Sequence, residues 1–252
     1  MRMSNIWLSL IFFLIGNFSF AQIPKHLFNG ATGETYDPKS FTSNTISINQ
    51  RIGSYHFGES EGEWDLIVIR NGDSLIIQIW SGSWGKNYYT KSEAWLLKCQ
   101  TFNTVSIKGN KFQFGKYSGQ FVDHKEQNAQ ITTRAMLLFS DPIYNDRNYG
   151  KDSAEVGYYS TNLNTFYGDR DYYVLSLSVL PESYFSKKSK EELKIMRNAI
   201  YAKYGLIFQE GGEMEKYFRK KDWYNPYQKD VSACLTQIEK KNIQTITLLE
   251  QK

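Results

Sequence analysis

The chain has 252 residues, a formal net charge of +4, an aromatic fraction of 16% and two cysteines. That length accommodates one large or two small domains, each able to bury a core. The charge is too slight for the dense basic face of a nucleic-acid binder, and two cysteines are too few for a disulfide-built miniature fold. The mild basic excess of the last quarter reads as a solvated helix surface.

The first twenty-one residues read as a secretory leader. Arg2 supplies a positive start, and "IWLSLIFFLIGNFSF" is an apolar run shorter than the ~20 residues of a comfortable membrane span. It leads to Ser19-Phe20-Ala21, which puts small residues at the minus-three and minus-one positions of a cleavage site before Gln22. No cysteine follows that site, so a lipid-modified N-terminus is not expected. No second apolar run of spanning length occurs, and the expected mature chain is a soluble protein of the periplasm or the extracellular space.

Residues 22–185 are expected to form an antiparallel β domain, a barrel or a sandwich. "WDLIVIRNGDSLIIQIW" sets two β-branched and aromatic runs on either side of Asn71-Gly72, a dipeptide suited to a type I′ hairpin turn. Both runs are apolar at nearly every position, so both faces are expected to be covered. "VSIKGNKFQF" repeats the hairpin pattern around Gly109-Asn110. "RIGSYHF", "AWLLKCQ", "TRAMLLFS", "EVGYYS" and "DYYVLSLSVL" supply further strands.

Residues 186–252 change period and are expected to form about three helices, which makes the whole an α+β chain. Ser189 and Glu192 stand in the spacing of a capping box. Leu193, Met196 and Ile200 follow at helical spacing. Gly205 and Leu206 fit the closure of a helix by a left-handed glycine and an apolar residue. "GEMEKYFRKK" and "ACLTQIEKKNIQTITLLEQ" are the other two helices, with the turn "DWYNPY" between them.

"MRNAIYAKYGLIF", "MEKYF", "DWYNPY" and "LTQIEKKNIQTI" together resemble the YARHG domain, a small module of exported bacterial proteins. The family's Tyr-Ala-Arg-His-Gly core is represented by Tyr201, Ala202, Lys203, Tyr204 and Gly205. Arg197-Asn198, Phe208, Tyr217-Phe218, Trp223-Tyr224, Pro226, Glu239, Asn242 and Ile243 also match, so the resemblance covers about residues 186–250. Lys203 and Tyr204 depart from the pattern, and no imidazole titrates at that position. The resemblance implies an extracytoplasmic location and no particular activity.

Two readings compete for this motif. In one, Arg197, Asn198, Tyr201 and Tyr204 anchor the corner of a small helical unit that needs every contact it can make. In the other, Arg197, Asn198, Tyr201, Tyr204, Trp223 and Tyr224 form a face that grips a glycan or a peptide end. The first is favoured on size. "WSGSWGKNYYT" is read as a loop rich in exposed aromatics, and Trp80, Trp84, Tyr88 and Tyr89 are the candidates there for stacking on sugar rings or apolar ligands.

Catalytic patterns are sparse. His26, His56 and His124 have no ligand-spaced neighbours, so neither a metal nor another cofactor is expected. The run "FGESEGEWD" places Glu59, Glu61, Glu63 and Asp65 near a strand start, where alternate carboxylates share a face and could serve as an acid/base pair. Cys99 and Cys234 lie in different regions and look like small buried residues, although an oxidising compartment would permit a bridge. The leading expectation is an exported, non-enzymatic binding module with a cell-wall, glycan or envelope-protein partner. A hydrolase of envelope polymers using Glu59–Asp65 and a structural accessory protein are the alternatives.

Overall fold

The computed structural model describes residues 22–43, 47–126, 130–143, 149–150, 152–167 and 170–252, without the side chain of Glu61. The expected leader, residues 1–21, lies outside the described residues. The strands are β1 (His26–Phe28), β2 (Thr35–Tyr36), β3 (Phe41–Thr42), β4 (Gly53–Phe57), β5 (Trp64–Asn71), β6 (Ser74–Lys86), β7 (Glu93–Phe102), β8 (Val105–Lys108), β9 (Lys111–Phe114), β10 (Tyr117–His124), β11 (Thr133–Leu138) and β12 (Ser153–Thr161). They form one sheet in the order β7-β6-β5-β4-β12-β11-β10-β9-β8, with β1, β2 and β3 attached beside it. Every pair along that path is antiparallel. β1 runs parallel to β12.

Side-chain alternation explains how this sheet is covered. Along β5, Trp64, Leu66 and Val68 enter an inner cluster with Phe112, Phe114 and Phe121 from the other end of the path. The two flanks therefore curl towards each other around a shared core, as in a barrel, while the ladder path itself ends at β7 and β8. Ile67 and Ile69 point the other way, into a second cluster that packs against helices. Ala135 and Leu137 of β11 face a third, covered by Leu27 and Phe41. Burial of both faces accounts for runs that are apolar at nearly every position.

The hairpin turns lie where glycine allows them. Between β5 and β6 the central pair is Gly72-Asp73, with Asn71 opposite Ser74. Gly72 takes φ +62°, and Asp73 is not among the positive-φ residues. Positive φ at the first central residue alone is the signature of a II′ turn, which corrects the expected I′ turn centred on Asn71-Gly72.

The helices are α1 (Ile48–Arg51), α2 (Leu163–Tyr167), α3 (Val174–Leu177), α4 (Glu182–Phe185), α5 (Lys190–Lys203), α6 (Glu213–Phe218) and α7 (Gln237–Glu250), with a 3₁₀ turn at Ser232–Cys234. The capping box at Ser189 and Glu192 is present. Gly205, at φ +75°, closes α5. Its N–H donates to the Ala202 carbonyl and that of Leu206 to the Tyr201 carbonyl, the two bonds of a Schellman motif. "DYYVLSLSVL", expected as a strand, instead contains α3. Its apolar residues enter the core shared by helices and sheet, and α3 packs on α7 instead of pairing with a strand, so tertiary contact decides against its β propensity.

The helical region keeps a small cluster of its own, Ala199, Ala202, Met214, Phe218 and Tyr224, but shares its larger core with the sheet. Ile67, Ile69, Ile76 and Trp80 of the sheet share one cluster with Leu193, Met196, Ile200, Tyr204, Ile238 and Ile246. This core crosses the expected boundary at 185/186. No helix among the described residues is long and apolar enough to cross a membrane.

Candidate functional site

Two assemblies hold most of the residues singled out from the sequence: a buried polar network and a projecting aromatic hairpin. The network begins at Gln78, the one polar residue in "LIIQIW" and fully buried. Its amide nitrogen donates to the Tyr204 hydroxyl at 2.7 Å and to the Cys234 carbonyl at 2.9 Å. Its amide oxygen accepts from the Tyr167 hydroxyl at 2.8 Å and the Trp80 indole at 3.3 Å. Tyr204 in turn donates to Glu239 at 2.9 Å.

Glu239 is the hub. It forms an ion pair with Lys203, and it accepts from Ser176 at 2.7 Å and from the Thr236 amide at 2.9 Å. The Lys203 ammonium also donates to Ser176 and lies 4.2 Å from the centre of the Tyr204 ring and 4.7 Å from that of Tyr167. Burial holds the Lys203 pKa below the ordinary lysine range, against the pull of Glu239. Burial pushes the Tyr204 and Tyr167 phenols up, so both stay protonated donors. A buried carboxylate so fully supplied with donors is a rigid joint, not an open acid.

The other motif residues are engaged as anchors. Arg197 grips Glu250 with two bonds of 2.9 and 3.2 Å and ties α5 to α7. Asn198 donates back to the Lys194 carbonyl, and Tyr201 packs on the shared core. Tyr224 donates to the Leu206 carbonyl, and Trp223 packs edge-on against Phe218. Tyr204 is 2% exposed and Tyr224 6%, so Arg197, Tyr204, Trp223 and Tyr224 do not make up one accessible gripping face. Closing a small helical layer onto a sheet consumes those rings.

The aromatic hairpin is the other assembly. "WSGSWGKNYYT" is not a loop throughout, because β6 runs to Lys86 and pairs with β7 as far as Glu93. Trp80 is 3% exposed and belongs to the core, whereas Trp84 is 63% exposed. Trp84 stands opposite Trp95, and their rings meet edge to face at 5.5 Å. Trp95 lies over Gly82, where an added Cβ would come within 2.0 Å of the indole nitrogen; only glycine leaves room for that ring. At the tip, Tyr88 is 37% exposed, with the Lys91 ammonium 4.5 Å from its ring centre and Tyr89 edge-on at 5.2 Å.

This tip is fastened to the C-terminal helical layer. Asn87 donates to the Asn225 side chain at 2.9 Å, and the Tyr88 amide donates to the Pro226 carbonyl at 2.9 Å. The Tyr89 hydroxyl reaches the Phe208 carbonyl at 2.7 Å, and Asn225 donates to the Trp95 carbonyl at 3.0 Å. The segment that makes these bonds is the one whose motifs were matched above. Residues 171–251 match the family model of the YARHG domain. Neither the curated proteins nor the solved structures contain a match to the chain.

The YARHG match begins at residue 171, ahead of the 186 expected from motifs. The contacts show why this stretch belongs with the helices. Asn242 donates to the Leu175 and Ser178 carbonyls and accepts from the Leu180 amide, while Ser176 joins the Lys203–Glu239 pair. The motif positions that depart from the family pattern, Lys203 and Tyr204, are both inside the network. Gln78, Ser176 and Thr236 were not anticipated from the sequence. The lone amide in an apolar strand marked Gln78, and the Thr236-x-x-Glu239 capping box marked Thr236.

The acidic run is occupied by a histidine. His56 lies 3.1 Å from Asp65 and 3.7 Å from Glu63, and Asp65 also accepts from Ser54. The bond to Asp65 raises the His56 pKa. Glu59 accepts from Asn29 at 3.4 Å, and the side chain of Glu61 lies outside the described residues. Among those described, no group of three or more His, Cys, Asp or Glu is placed to hold a metal.

A carboxyl that no pattern marked, Glu155, is buried and accepts from the Tyr149 hydroxyl at 2.7 Å. Burial pushes its pKa up to about 7. A raised folded-state pKa gives stability that is full at acid pH and lost as pH rises through about 7. Glu155→Gln should therefore remove part of the decline in melting temperature between pH 5 and pH 8, and be more stable than wild type at pH 8 by about 2 kcal/mol. An unchanged difference between the two pH values would contradict this.

Proposed function

We propose that the protein is an exported, non-catalytic binding module that holds an envelope glycan on the Trp84–Trp95 shelf of the β6–β7 hairpin. The observation that carries this reading is a tryptophan left 63% exposed on a strand whose tip is fixed by four hydrogen bonds to the YARHG layer. Exposing a large apolar ring costs solvation free energy, and fixing its support lowers the entropy lost on binding. A flat ring face supported in this way suits stacking on the apolar face of a sugar, and Tyr88 and Lys91 at the tip of the same hairpin offer further contacts. Export is supported by the leader pattern and by the YARHG match. A non-catalytic role is supported by the use of Asp65 and Glu63 on His56 rather than on an open cleft.

Soluble fragments of cell-wall and capsular glycans should quench or shift tryptophan fluorescence of the intact protein on titration. Trp84→Ala should weaken that binding at least tenfold, on the order of 1.4 kcal/mol, with an unchanged melting temperature. Equal affinity in wild type and Trp84→Ala would end this reading of the site.

A further inference from the structure

The two cysteines of the chain, 135 residues apart, meet at the seam between the sheet and the YARHG layer. Cys99 stands opposite Trp80 across the β6–β7 ladder and so shares its helix-facing side. Cys234 ends the 3₁₀ turn that precedes α7 and is buried. The Cys234 sulfur lies 3.1 Å from the Cys99 carbonyl oxygen, which places it within about 5.5 Å of the Cys99 Cα by backbone dimensions.

The surroundings hold this approach in place. The Cys234 carbonyl accepts from Thr101 at 2.5 Å and from Gln78 at 2.9 Å, and the Cys99 sulfur lies 4.0 Å from the Thr101 hydroxyl. Three points on β6 and β7 therefore fix the 3₁₀ turn against the sheet. Both sulfurs carry free thiols in this structure. The neighbouring Cys99 thiol lowers the Cys234 pKa, and burial raises that of Cys99.

We propose that Cys99 and Cys234 form a redox-sensitive covalent bolt that joins the sheet to the YARHG layer. The oxidant is a disulfide, either a small-molecule one or that of a thiol oxidoreductase. The Cys234 thiolate attacks one of its sulfurs, forms a mixed disulfide and expels one thiolate. Cys99 then loses its proton, attacks the Cys234 sulfur and expels the second thiolate. Two protein thiols are oxidised to one disulfide, and one external disulfide is reduced to two thiols. Export governs only whether the protein meets such an oxidant in the cell; the chemistry of the pair does not depend on it.

The test is to refold the reduced, denatured full chain in a glutathione redox buffer, and in parallel to incubate the folded reduced chain with oxidised glutathione. Each sample is then denatured, alkylated, weighed intact and digested. The proposal expects a mass lower by two hydrogens, no alkylated thiol and a linked Cys99–Cys234 peptide pair. The oxidised form should also melt about 10 °C higher than the reduced one, a difference absent in Cys99→Ser. Two alkylated thiols after refolding, or a glutathione adduct that persists on either cysteine of the wild type, would overturn it.

Discussion

Glu239→Gln is expected to destabilise the protein by about 3–5 kcal/mol, the penalty for leaving a buried charge without its partner. The Lys203 ammonium would keep one hydroxyl bond to Ser176 and its position against two aromatic rings, but no counter-charge. The Tyr204 hydroxyl, Ser176 and the Thr236 amide would also meet a weaker acceptor. Lys203→Met should cost less, because Glu239 would retain those donors. The double variant Lys203→Met/Glu239→Leu should regain part of the loss, since apolar pairs can replace buried ion pairs, but not all of it. Urea unfolding of the four proteins measures this order, and a Glu239→Gln variant within about 0.5 kcal/mol of wild type would remove the network from its proposed role.

Fragments 22–185 and 186–252 are expected to lack cooperative unfolding when prepared separately. The C-terminal piece would expose Leu193, Met196, Ile200, Tyr204, Ile238 and Ile246, and the sheet would expose Ile67, Ile69, Ile76 and Trp80. At ~1.5–3 kcal/mol for each fully buried apolar side chain, even partial loss amounts to on the order of 10 kcal/mol, comparable with the whole stability of a domain. The cut also separates Ser176 and Leu175 from Glu239 and Asn242. Calorimetry and near-ultraviolet circular dichroism of each fragment test the point. A sharp melting transition in isolated 186–252 would show that the helical layer folds without the sheet.

What was legible in the sequence followed from local chemistry. The hairpins around Gly72 and Gly109, the capping box at Ser189 and the closure at Gly205 each depend on residues within a few positions of one another. The curl of the sheet and the strand order were not legible, because β4 meets β12 across about a hundred residues. "DYYVLSLSVL" misled because β-branched and aromatic residues suit a strand and a packed helical turn alike. Trp80 and Trp84 look equivalent in the sequence. They share a sheet face, and only the position of the helical layer buries one and leaves the other open. The same layer turned Tyr204 and Tyr224 from candidate contacts into interior donors, and it brought Cys99 to Cys234.

On the proposed reading the Tyr201–Gly205 motif is a joint and the ligand surface is the hairpin it supports. Saturation binding of one soluble envelope glycan to wild type, Trp84→Ala and Tyr204→Phe, well below all three melting temperatures, separates these roles. Trp84→Ala should lose affinity at full stability, and Tyr204→Phe should melt earlier yet bind as wild type does. Loss of binding in Tyr204→Phe at wild-type stability, with Trp84→Ala unaffected, would contradict this reading.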